Sequence, residues 1–443
     1  MLQSLFRERI ISINDAGRKD SVVSSENILQ DVAYLTEKIG IRLSGSDQER
    51  EAAAYLRRRL REYVPQCEIE CFPTVCSDVA VTVSLRVGAS WETLSALRFN
   101  LTPVEPVLEA PLVFWDTHTD YQRPSLACLR GKAVLHFGLF QSEADYRRLA
   151  EAKPAFVMVV DTRYPLEAPV ANSHLPAWVK RYGAMPAVGV SYMTAWRLMT
   201  RGADRARLEM TGSTYTGTSW NVIGTLPGTD PEAGTVYLGG HMDSVVGSAG
   251  ADDNAVGCAI VVELARVLSQ RKHKRTLKFI CFGTEEQLSV GSASYLRQHR
   301  QEVERDGVFM CNFDSCASSL GWNCFTVNAN EALAGRIRET LNEKDVYYLA
   351  DRNPDPCNDL FPFSLAGVPG ITFLRKNTES GKFYHHQATN TLAVISGPVA
   401  AKLATAGRAL VEQMADGDIG TFDVDPNTRR QVQHLWDEQY GGW

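Results

Sequence analysis

The sequence contains no run of roughly 18 uninterrupted apolar residues, so no segment reads as a transmembrane helix. An excess of positive charge is also missing. The chain has 46 Lys and Arg against 52 Asp and Glu, a net charge of −6, which argues against nucleic acid as the main partner because phosphate binding needs a concentrated cationic surface. The short run Arg271, Lys272, Lys274, Arg275 is read as a solvated loop after a helix. Near the N-terminus, Arg7, Glu8 and Arg9 interrupt a short apolar stretch, so a secretory h-region is lacking and a soluble, cytoplasmic protein is expected. Its ten cysteines are then expected to remain reduced. Cys67, Cys71 and Cys76 lack the paired spacing of a zinc knuckle and are read as strand and core residues.

What is present is an ordinary globular composition, 44% hydrophobic and 22% charged. With 443 residues the chain exceeds what one core usually serves, so at least one insertion or domain boundary is expected. From about Ser25 to Tyr63 the apolar spacing is helical, broken at GIRLSGS, and Ser46 before an acidic first turn marks a helix start. From about Thr74 to Leu208 the texture becomes β-rich, with VAVTVSLRV, APLVFW, KAVLHFGL and AFVMVVDT reading as strands. After Thr216, buried strands alternate with helices: TVYLGGH, NAVGCAIVVELARVL, LKFICFG, SASYLRQHR, VFMCNFD. That alternation predicts an α/β fold with a mixed, mostly parallel sheet flanked by helices. Ligands gather outside the carboxyl ends of such strands. HMD, TEE and FDS all sit there.

These strand ends carry a metal-binding vocabulary. His241 can offer a neutral imidazole nitrogen, and Asp243 is placed to accept the other ring N–H. Asp252 opens the turn into the apolar helix and is read as a carboxylate able to bridge two cations, with Asp253 or Asn254 capping the helix. Glu285 and Glu286 are adjacent acids whose burial asks for a compensating cation, which a metal ligand beside a general base would meet. Asp314 ends the third strand. His385 and His386 follow GITFL on a loop, and at most one is expected to ligate. Two imidazoles with three or four carboxylates and no thiolate favour zinc over magnesium or calcium.

HMDSVVGSAGADDNAVG, TEEQLSVGSASYL, FDS and YHHQATNTL together resemble the two-zinc exopeptidase family of bacterial leucyl aminopeptidases and glutamate carboxypeptidase II. The resemblance implies a phosphorylase/hydrolase-like zinc peptidase fold and two Zn2+ ions, one on His241 and Asp314, the other on Glu286 and His386. It further implies Asp252 as the bridge and Glu285 as the base. His386 is preferred because Asn390 and Thr391 follow it at the family's spacing, with Asn390 in place of the usual Asp. Asp359, before an apolar run and a Pro-Gly turn, is expected near the substrate. The β-rich region resembles a protease-associated domain. The implied division is an N-terminal helical segment of the catalytic domain (1–73), the insertion (74–215) and the zinc peptidase domain (216–443).

The expected reaction is hydrolysis of a terminal peptide bond, as an aminopeptidase by first preference. Carboxypeptidase or dipeptidase action is the alternative, with Arg375, Lys376 and Lys382 as candidate partners for a substrate carboxylate. Cyclisation of N-terminal glutamine is associated with one working zinc, which the five-ligand set disfavours. A receptor-like binding module on the same fold would be expected to have lost ligands, and none is missing. Peptide is the expected partner.

Overall fold

A computed structural model describes residues 22–418 and 422–440. Among the described residues two sheets dominate. The larger has nine strands. Its centre is parallel, in the order Thr276–Phe282, Thr235–His241, Gly307–Phe313, Gly370–Phe373. Antiparallel neighbours flank that centre, Thr214–Leu226 on one side and Trp322–Asn328 on the other, and Leu349–Asp351 adds a parallel pair at the far edge, so the sheet is mixed. The departure from a mostly parallel sheet comes from a long ribbon: Gln66–Ser77 pairs with Thr214–Leu226 along its whole length, from Gln66 opposite Thr225 to Ser77 opposite Thr214.

Burial explains the layers. Along Thr235–His241 the side chains alternate, so Val236 and Leu238 join one apolar cluster while Tyr237 joins another on the opposite face. The first face is covered by Ser25–Ala33, Asp47–Arg61, Val256–Leu268, Glu331–Glu343 and Gly397–Asp416, the second by Val290–Asp306 and Leu360–Leu365. Ser46 caps Asp47–Arg61 by accepting the Glu49 N–H at 3.1 Å. Val256–Leu268 is apolar almost all round and correspondingly buried. It lies so close to the strand before it that a Cβ on Gly240 would stand 2.8 Å from the Gly257 carbonyl carbon.

The ribbon leads out to a second, eight-stranded sheet ordered Ser90–Leu94, Ala80–Val87, Arg205–Thr211, Val107–Asp116, Ala133–Phe137, Phe156–Val160, Ala187–Val190, Ala96–Arg98. All four runs read as strands in this region form strands, joined by the helices Glu143–Ala152, Pro176–Tyr182 and Tyr192–Thr200. The expected limits at 73/74 and 215/216 fall inside the ribbon, which belongs to the larger sheet. The run Arg271–Arg275 is less solvated than expected. Arg275 is buried and donates to the Met414 and Gly417 carbonyls, satisfying the end of Gly397–Asp416. All ten cysteines are free thiols. Among the described residues, no helix is long and apolar enough to cross a membrane.

Candidate metal centre

The parallel strands deliver their polar ends to one place. His241 closes Thr235–His241, Glu285 and Glu286 follow Thr276–Phe282, and Asp314 follows Gly307–Phe313. Asp243 organises two of these ends. Its Oδ1 and Oδ2 accept the N–H groups of Glu285 (3.0 Å) and Glu286 (3.2 Å), and Oδ1 lies 3.4 Å from His241 Nδ1. Asp243 thus stands beside His241 without closing a hydrogen bond to it, and its grip on the Glu tip is one that the sequence did not suggest.

The turn 251–255 corrects one assignment. Asp252 faces away from the cluster, its oxygens taken by the Ala317 N–H (2.9 Å) and the Tyr384 hydroxyl (2.8 Å). Asp253 occupies the place expected of Asp252. Its Oδ1 is 3.3 Å from His241 Nε2, and its Oδ2 is 3.8 Å from His386 Nε2 and 3.5 Å from His385 Nδ1. The cause is local backbone: Asp253 (φ −123°, ψ 84°) and Asn254 (φ −143°, ψ 44°) are non-helical, so the helical register that would aim Asp252 inward does not apply. Asn254 is the cap, with Oδ1 accepting the Gly257 N–H at 3.0 Å.

Two groups of donor atoms result. His241, Asp253 and Asp314 converge within 4.8 Å of one another, as do Asp253, His385 and His386, and His386 Nε2 also stands 2.9 Å from Glu286 Oε2. His386 Nδ1 is 2.8 Å from the Ala171 carbonyl; donation there leaves Nε2 with its lone pair toward the cluster, the tautomer a ligand requires. Both histidines reach the cluster because His386 adopts φ 53°, which stacks its ring on that of His385 at 3.7 Å. Asn390 ties this loop to the acidic turn by accepting the Asp252 N–H at 2.8 Å.

The charges are unbalanced in a way a cation would correct. Both ring nitrogens of His241, Glu286 Oε1 and Asp314 Oδ1 are buried without a hydrogen-bond partner. Burial, with Asp359, Asp314 and Glu286 adding to it against the pull of His241, holds the Glu285 carboxyl well above the usual range. Burial alone would depress His241 and His386. The acids around them outweigh it, holding His241 well above its ordinary value and His386 at about 9. His385 goes the other way, to about 3, through burial and the neighbouring His386. Imidazoles and carboxylates around unsatisfied buried atoms, with no thiolate among them, fit zinc.

Other expected residues are placed differently. Asp359 is fully buried at the start of Leu360–Leu365, and burial raises it to about 7. The Arg375 guanidinium is engaged by Asn323 Oδ1 and by the carbonyls of Gly321 and Ser318. Lys382 is buried with Nζ 3.9 Å from Asp253 Oδ2. Two residues of the leading segment buttress the site. Arg42 donates to the Met242, Ala249 and Gly250 carbonyls, and Glu49 accepts the Thr284 N–H at 3.2 Å. The motif RLSGSDQE was the only signal for them.

Known proteins resemble this chain in sequence and fold to differing extents. The chain is 25% identical over 376 residues to Aminopeptidase YwaD of Bacillus subtilis, covering 82% of this chain and 79% of that one. It is 22% identical over 381 residues to Carboxypeptidase Q of Xenopus laevis, covering 82% and 80%. BSAP, a zinc aminopeptidase from Bacillus subtilis, has the same fold, with a TM-score of 0.76 at 20% identity over 92% of this chain and 99% of that one. An aminopeptidase from Aneurinibacillus sp. strain AM-1 superposes with a TM-score of 0.68 at 22% identity, covering 90% and 96%. Residues 221–411, which contain every donor of the cluster, match the model of Peptidase family M28.

Proposed function

We propose that this protein is a two-zinc aminopeptidase, hydrolysing the peptide bond next to a free amino terminus. The observation that carries the reading is Asp253, whose two oxygens face two separate donor groups, as a carboxylate shared by two ions must. His241 and Asp314 would hold one ion, Glu286 and His386 the other. Bound zinc supplies a Lewis acid for the scissile carbonyl and lowers the pKa of the attacking water.

The remaining roles belong to the chain. Glu285 takes the proton of the attacking water and returns it to the leaving amine. Asp243 fixes the backbone of Glu285 and Glu286 and faces His241, so base and ligands keep one geometry. The sheet spanning residues 80–211 is read as a protease-associated domain walling the cleft, which its contacts with the final His loop support. A panel of aminoacyl, N-blocked and C-blocked peptides tests the reading. Cleavage confined to substrates with a free amino terminus is expected, and cleavage surviving N-terminal blocking would overturn it in favour of a carboxypeptidase.

A further inference from the structure

The two donor groups are supported from different parts of the chain. His241 and Asp314 end strands of the larger sheet, and Asp243, Arg42 and the Phe373 carbonyl, which accepts the Asp314 N–H at 3.0 Å, all belong to the same unit. His386 is held from outside that unit. Its Nδ1 meets the Ala171 carbonyl at 2.8 Å, and its own carbonyl accepts the Ala171 N–H at 3.2 Å, so one residue of the insertion grips it through both backbone groups.

Ala171 is itself firmly placed. It follows Val170, whose carbonyl lies so close to Gly189 that a Cβ there would stand 2.6 Å away, which sets this segment tightly against the strand Ala187–Val190. Asp161, buried at the end of Phe156–Val160, receives Arg163 at 2.7 Å and the Asn172 amide at 3.4 Å, closing the segment on itself. The Asn172 carbonyl accepts the Asn100 N–H at 3.0 Å. A second contact reaches the final loop, where the Tyr164 hydroxyl donates to the Ser380 carbonyl at 3.3 Å and its ring lies 5.7 Å from that of His385.

We infer that segment 161–172 is a positioning element for the ion held by His386 and Glu286, so that this ion depends on docking of the insertion while the ion at His241 and Asp314 does not. The inference rests on the two-zinc reading. His386 sits in a left-handed conformation on a loop built of successive turns, outside any helix or strand. The Ala171 carbonyl both selects its tautomer and fixes the direction of Nε2. Removing such an outer partner weakens metal binding by about 10–100-fold. The insertion then acts as part of the metal site and not only as a wall of the cleft.

Stepwise zinc titration against a chromophoric chelator, on the full chain, tests this. The wild type is compared with Asp161→Asn, which loosens the segment, with Tyr164→Phe, which removes one hydroxyl, and with Ala171→Pro, which removes the N–H gripping His386. Wild type should take two ions. Asp161→Asn and Ala171→Pro should weaken one step by about 10–100-fold and leave the other unchanged, with Tyr164→Phe showing the same asymmetry to a smaller degree. The unfolding midpoint of the metal-free Tyr164→Phe protein should match wild type, which separates positioning from folding. Equal weakening of both steps, or of neither, would overturn the inference while leaving the two-zinc reading intact. A wild type that takes fewer than two ions would overturn both.

Discussion

The histidines of the two sheets behave in opposite ways. In the insertion, His136 is buried with Nδ1 2.8 Å from the Gly138 carbonyl and Nε2 2.8 Å from the Tyr121 hydroxyl, while His174 Nε2 lies 3.0 Å from the Met185 carbonyl. Burial lowers both to about 4, so they are neutral core residues. At the strand ends of the larger sheet, His241 is as deeply buried, and His386 on the final loop is nearly so, but they face Asp253, Glu285, Glu286 and Asp314, and both are raised. Burial of an imidazole therefore carries no functional information. The partner does: His136 and His174 meet neutral carbonyls and a hydroxyl, whereas unsatisfied carboxylates beside an imidazole mark a place for a cation.

The largest effect expected from this contrast is at Glu285. Glu285→Gln keeps the backbone contacts with Asp243 and all metal donors but cannot take a proton, so kcat/KM should fall by about 10²–10⁴ while zinc content is unchanged. Steady-state kinetics beside metal analysis would check it, and wild-type turnover would remove Glu285 from the base role.

Acid should next distinguish the insertion. His136 and His174 sit at about 4 in the folded state, against about 6.5 for a free imidazole. The unfolded chain therefore binds more protons between those values. Their contribution is complete above about pH 6.5 and is lost toward pH 4, by about 3 kcal/mol for each histidine. Calorimetry of the metal-free protein from pH 7.5 to 5 should show the insertion losing stability, and a flat profile would contradict neutral burial.

The metal centre should respond with a smaller slope. His386 at about 9 must lose its proton to ligate, so apparent zinc affinity should rise about tenfold per pH unit, for each proton released, between pH 6 and 8. Competition titrations across that range measure it. An affinity independent of pH would mean that His386 is not a ligand. Smaller still is Asp252→Asn. It weakens hydrogen bonds to the Ala317 N–H and the Tyr384 hydroxyl by about 1–2 kcal/mol and should preserve both zinc ions by metal analysis, whereas Asp253→Asn should not.

Much of this was legible in the sequence because strand ends are. TVYLGGH, LKFICFG and VFMCNFD each read as buried strands, and the polar residues after them converge as expected. The choice between Asp252 and Asp253 was not legible, since the turn 251–255 has no helical or strand period from which to infer side-chain direction. Ala171 was invisible for a different reason: its contribution is a backbone carbonyl, which every residue type presents. The limits of the insertion were blurred because the ribbon Gln66–Ser77 and Thr214–Leu226 has the same β-rich texture as the sheet it leads to. Arg375 looked available for a substrate carboxylate only because sequence cannot show the carbonyls that already occupy it.

Anomalous diffraction at the zinc edge from zinc-loaded crystals tests the central claim most directly. Two peaks roughly 3.5–4 Å apart, one on each oxygen of Asp253, with His241 and Asp314 on one and Glu286 and His386 on the other, are predicted. A single peak, or a peak on Asp252, would contradict the account.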